Sequence, residues 1–170
     1  MGETDVVNAW SLRIAKEATP NEVEVAPAIA RAFVAGGREK KELLQSAGVQ
    51  GGTGGEIILS FPVILSAIEA AGPHLLHFLS TVADHSEVVS SFAAALSSLV
   101  NVRSYLDRRK QAKSLPDDPY VPLKVVSDVL TEELRKAGFD EDRANSTAYL
   151  VLKAMMEDPA GAGQFTKKVT

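Results

Sequence analysis

The three histidines are the residues best equipped for acid–base or metal chemistry, and they lie close together in the sequence. His74 and His77 are three apart, so a helix sets both on one face, and Asp84 and His85 follow a short distance on. Together they offer nitrogen and oxygen ligands of the kind zinc takes. The spacing matches no zinc motif and fixes no further ligand pair, so two histidines on a partly exposed helix edge are expected, without a metal. Gly51-Gly52-Thr53-Gly54-Gly55 has the glycine content of a phosphate loop but is followed by Glu56, where a Walker A loop needs Lys. A carboxylate there repels the phosphate such a loop exists to hold, so the segment is expected to be a hinge or turn. No nucleotide or other cofactor is expected.

The serines fall in neither a Gly-x-Ser-x-Gly elbow nor a Ser-x-x-Lys pair, and a triad converging on His85 is the one catalytic route left open. Glu69 is the single acid set within apolar residues, between Ile68 and Ala70. It is expected on the exposed face of an amphipathic helix, or else buried beside a cation such as an arginine of the basic segment. Asp140-Glu141-Asp142 lacks the glycine and the distal glutamate of a calcium loop and reads as a helix first turn that favours negative charge. The sequence therefore favours a non-enzymatic protein.

A chain of 170 residues is long enough for one core without covalent staples. It has no cysteine, which removes disulfides and thiolate chemistry and suits a reducing, cytoplasmic setting. Its acidic start, Glu3-Thr4-Asp5, is unlike a secretory leader. A net charge of -4 argues against nucleic acid as a partner. Charge is nonetheless segregated: Arg103, Arg108, Arg109, Lys110 and Lys113 form a basic joint, and acids dominate from Asp117 onward.

The segments that carry these residues are expected to be mainly helical. Trp10, Leu12 and Ile14 alternate with Ser11, Arg13 and Ala15, which suggests a short strand near residues 8–16, with a helix through Val7, Trp10 and Ile14 as the alternative. Thr19-Pro20-Asn21-Glu22 has the form of a capping box. A helix is expected from Pro27 to Ala35, then a charged one from Arg38 to Ser46 with Gly48 as its left-handed cap. Residues 56–61 read as a second short strand or extended entry, followed by helices from Pro62 to Ala71 and from His74 to Val82, separated by Gly72-Pro73. The stripe of Val88, Phe92, Leu96 and Leu99 predicts a long helix from Glu87 to about Lys113. The fold class is thus mainly α, a helical bundle with a C-terminal hairpin, or α+β if the two strands form. Its expected divisions are an N-terminal unit over 1–113, a linker over 114–121, the hairpin over 122–158 and a flexible tail over 159–170.

The apolar stretch from Ile57 to Val82 is the sequence's main functional clue, because it must be covered by something. A single membrane span is disfavoured by Glu69 and by Gly72-Pro73. The favoured role is a protein-interaction or assembly module, a scaffold, adaptor or oligomer subunit. Its candidate surface combines Phe61, Leu65 and Ile68 with Leu75, Leu76, Phe78 and Leu79, flanked by Arg103, Arg108 and Arg109. The alternative is a peripheral membrane protein that uses the 57–82 segment with the basic 103–113 cluster on anionic lipid.

Overall fold

The computed structural model describes residues 3–48, 59–84 and 120–170. Helix α1 (Glu3–Ala18) turns Val7, Trp10 and Ile14 inward at three-and-four spacing, with Val6, Ser11 and Ala15 beside them. Residues 8–16 are therefore helical, and the strand expected there is corrected. Alternation misled because Ser11 and Ala15, which a strand would turn outward, are both fully buried. The Ser11 hydroxyl donates to the Asn8 carbonyl at 2.8 Å, which lets it enter the core with its hydrogen bond made.

The Pro20–Glu22 segment is one 3-10 turn, and Thr19 makes no side-chain cap bond. The expected capping box is absent because the Glu22 carboxylate instead accepts from the Ser60 and Phe61 N–H groups at the start of a later helix. Helix α2 (Ala26–Ala35) begins with Pro27 in its first turn, and α3 (Gly37–Ser46) follows across Gly36. Gly48 has a φ of +83°, the left-handed conformation expected of that cap.

Helix α4 (Phe61–Ala83) runs unbroken through Pro73 for 23 residues, where two helices separated by Gly72-Pro73 were expected. Proline removes one backbone donor and constrains the residue before it, yet Gly72 has no Cβ to clash with the ring. Burial does the rest. Val63, Ile64, Leu65, Ile68, Leu75 and Phe78 are nearly or completely buried around the helix, so breaking it would expose both halves. In the second expected strand, the described residues Leu59 and Ser60 are not extended ladder residues, and Phe61 already opens α4. The rest of that strand lies outside the described residues, as do the glycine cluster 51–55, the helix expected over Glu87–Lys113 and linker residues 114–119.

The C-terminal hairpin forms as expected from α5 (Tyr120–Lys136) and α6 (Glu141–Met156). Gly138, with a φ of +105°, turns the chain between them. The Asp140 carboxylate caps α6 by accepting from the Arg143 N–H at 2.8 Å. Residues 159–170, expected as a flexible tail, instead form α7 (Pro159–Val169). Asp158-Pro159 was expected to stop a helix, but it also starts one: Asp158 accepts from the Gly161 N–H at 3.0 Å, and Pro159 occupies the first turn. Phe165, Thr166 and Val169 are buried, and the Thr170 methyl lies directly over Gly72 of α4, in the space a Cβ would need.

Among the described residues there are seven α-helices and no strand. Helix α4 is central, covered mainly by α5 and α7 and touched by α2 and α3, while α1 closes the bundle against α2, α6 and α7. One hydrophobic cluster extends from Val6 to Val169, so the hairpin and the helices before it share a core.

Candidate functional site

A groove of about 550 Å³ runs along α1 where it meets the corner between α6 and α7. Val6, Ala9, Trp10 and Leu12 supply its apolar and aromatic surface. Trp10 is 6% exposed and is held from behind by Phe165, whose ring centroid lies 6.2 Å away. Gly161 allows this corner to close, because a Cβ there would collide with the capping Asp158 carboxylate and lie 3.1 Å from the indole Cζ2. The indole N–H makes no hydrogen bond among the described residues. The Arg13 guanidinium lies 5.0 Å over the Trp10 ring and 3.5 Å from Glu157, a cation–π contact joined to a rim ion pair.

The two walls carry different charge. Arg13 and Lys16 project from α1, while Glu157 and Asp158 belong to the corner opposite. Glu17 is engaged in a tie between helices, accepting from Lys153 Nζ at 2.8 Å. That hydrogen bond raises the Lys153 ammonium above its ordinary pKa, against a lowering by burial, with the charge of Glu17 adding to it. With Val6 and Trp10 largely buried, the groove presents mainly Ala9 and Leu12 for apolar contact, ringed by charges of both signs. Among the described residues lining it there is no nucleophile paired with a base.

Near the α4 N-terminus a second polar cluster serves structure. The Glu22 carboxylate accepts from the Ser60 and Phe61 N–H groups at 2.8 and 2.9 Å, satisfying two of the orphan donors of α4 and complementing its dipole. Arg143 donates to Ser60 Oγ at 2.7 Å while stacking 4.1 Å from the Phe139 ring centroid. The 3-10 turn, α4 and α6 are thereby tied at one point.

The residues singled out in the sequence are distributed differently from the expectation. Phe61, Leu65, Ile68, Leu75, Phe78 and Leu79 are buried in the protein's own core, so they are not an exposed interaction surface; Leu76 is half-buried. The hydropathy that marked them reports their burial between α5 and α7. Arg103, Arg108 and Arg109 lie outside the described residues, as does His85. His74 and His77 are both exposed, and no group of three metal-ligating side chains occurs among the described residues. Glu69 is half-buried and pairs with Lys40 of α3 at 2.6 Å, while the Lys40 ammonium lies 4.2 Å from the Phe33 ring centroid. Its partner is thus a lysine from α3. Asp140, Glu141 and Asp142 occupy the start of α6, as the helix-dipole reading expects.

Sequence reasoning missed Leu12, Arg13, Lys16 and Glu157. The available signal was the helical alternative for residues 8–16, which would have set Ala9, Leu12 and Lys16 together on an outer face. Comparisons with protein-family models, curated proteins and solved structures find no match for this chain.

Proposed function

We propose that this chain is a non-enzymatic protein-interaction or assembly module, a scaffold, adaptor or oligomer subunit that works in the cytoplasm without a cofactor. The observation that carries this reading is the groove along α1, where half-buried Leu12 and Arg13 lie among charges of both signs over the largely buried Trp10. Arg is enriched at protein-recognition surfaces because its planar guanidinium combines a broad contact area with several hydrogen-bond donors. The apolar faces of α4 serve indirectly, as the core on which α1 and the α6–α7 corner are mounted. Rim charges orient the partner more than they bind it. Light scattering over a concentration series, combined with cross-linked pull-down, tests the reading. The expected result is self-association or a retained protein partner, and a strictly monomeric particle with no recovered partner overturns it.

A second reading is favoured by one observation: α4 has the length and apolar composition of a membrane span. On that reading α4 leaves the bundle and the basic 103–113 cluster rests on anionic lipid. Most of the helix is packed inside the fold, so release must overcome the loss of that burial. Absence of co-sedimentation with anionic liposomes at low salt removes this second reading.

A further inference from the structure

We infer that the outer face of α1 is a self-complementary seam that pairs antiparallel with α1 of a second copy; this rests on the assembly reading above and names its partner. Asp5, Ala9, Leu12 and Lys16 are spaced four, three and four apart, the spacing of a seam on which one helix packs against another. Asp5, Ala9 and Lys16 are exposed, and Leu12 is half-buried without packing on the core cluster among the described residues. Ala9, Leu12 and Lys16 also line the groove, so the seam is continuous with its Arg13 rim.

The order of these four residues selects an antiparallel partner. An acid stands at one end and a base at the other, with a small and a large apolar residue between them. Turning a second α1 end for end brings Lys16 opposite Asp5 and Leu12 opposite Ala9, and the two-fold axis repeats both pairs. Each Leu12 then has the space left by the partner's alanine, and each charge meets its opposite. A parallel arrangement would set Asp5 on Asp5 and Lys16 on Lys16, which repel.

Asp5 makes a further contact within its own chain, and a carboxylate has acceptor capacity for a second. Lys16 makes no hydrogen bond or ion pair among the described residues. An acid near the start of α1 and a base near its end also suit that helix's own dipole, so these charges have an intramolecular explanation that mutation must separate from pairing.

Sedimentation velocity of the full chain over a concentration series at low salt provides the test. The wild-type mass should rise from 18.1 kDa toward twice that value. Lys16→Glu should weaken association by about tenfold or more, because the two-fold axis turns both end pairs repulsive. The charge swap Asp5→Lys with Lys16→Glu should restore association to within about threefold, since opposite charges again face each other. Any loss of association through weakened folding appears as a lowered melting temperature, and the swap opposes the dipole at both ends, so a dipole role alone predicts no rescue. Leu12→Gln, which keeps size and helix propensity, should weaken association by about tenfold with little change in melting. A dimer insensitive to Lys16→Glu and Leu12→Gln overturns this seam but leaves the assembly reading standing. A wild-type monomer also overturns the seam, and the assembly reading falls with it only if pull-down recovers no partner.

Discussion

Helices α1 and α4 are both packed into the bundle, yet they present opposite kinds of surface. Helix α4 is apolar around most of its circumference and is enclosed, principally by α5 and α7. Helix α1 buries a narrower stripe and leaves Asp5, Ala9 and Lys16 outside. The more hydropathic helix is therefore the one with less free surface, and the groove follows the less hydropathic one. Hydropathy measures how much a helix gains from being covered; it does not identify the covering surface. In this molecule the protein itself supplies most of that cover for α4.

The largest expected effect follows from the α4 side of the comparison. Phe78 is 1% exposed, and Phe78→Ala should cost about 3–5 kcal/mol in chemical denaturation, through lost burial and a cavity the helix cannot close. A loss below about 1 kcal/mol would mean that α4 is not a core helix in solution. Pro73 is exposed within the same helix, so Pro73→Ala can restore a backbone donor without disturbing a buried contact. It should raise stability by about 1–3 kcal/mol, and a lowered melting temperature would show that the proline serves α4 in some other way.

Removing the remote cap should have a smaller effect. Glu22→Ala abolishes the acceptor for the Ser60 and Phe61 donors and should cost about 1–2 kcal/mol, with amide exchange accelerating first at the start of α4. Uniform acceleration along the helix would contradict that role. On α1, Leu12→Ala should change monomer stability by no more than about 1 kcal/mol, because the side chain is half-buried and off the core. A loss comparable to that of Phe78→Ala would erase the contrast between the two helices.

The smallest effect concerns the tie between α1 and α6. Because the Lys153 pKa is raised in the folded protein, this tie contributes fully at pH values below the ordinary lysine value of 10.5 and is lost as pH rises through the folded value. Lys153→Met should therefore lower the melting temperature slightly at neutral pH, with the difference from wild type shrinking under strongly alkaline conditions. A difference that stays constant across that range would assign the effect to packing.

Local signals were legible wherever one residue type serves one purpose. Gly48 and Gly138 take the positive φ values their helix ends require, and Asp140 caps α6 within its own turn. Glu22 shows where such reading fails. Its spacing from Thr19 resembles a local cap, but its carboxylate crosses to residues 60 and 61, a pairing that depends on how distant segments meet. The groove was illegible for the same reason, since its two walls come from residues 6–17 and 157–158.

Residue types alone were enough to show a mainly helical chain, the ends of several helices and an apolar run near Ile57 to Val82 that must be covered. Those properties arise from backbone sterics, capping groups and apolar content within a few turns. Packing between distant segments was needed to carry α4 through Pro73, to form α7 and seat it on Gly72, and to make α1 a helix with an exposed outer face. In each case burial against distant residues outweighs a local preference: the missing proline hydrogen bond, the helix-ending look of Asp158-Pro159 and the alternation around Trp10 are all overridden by contacts the neighbouring sequence does not contain.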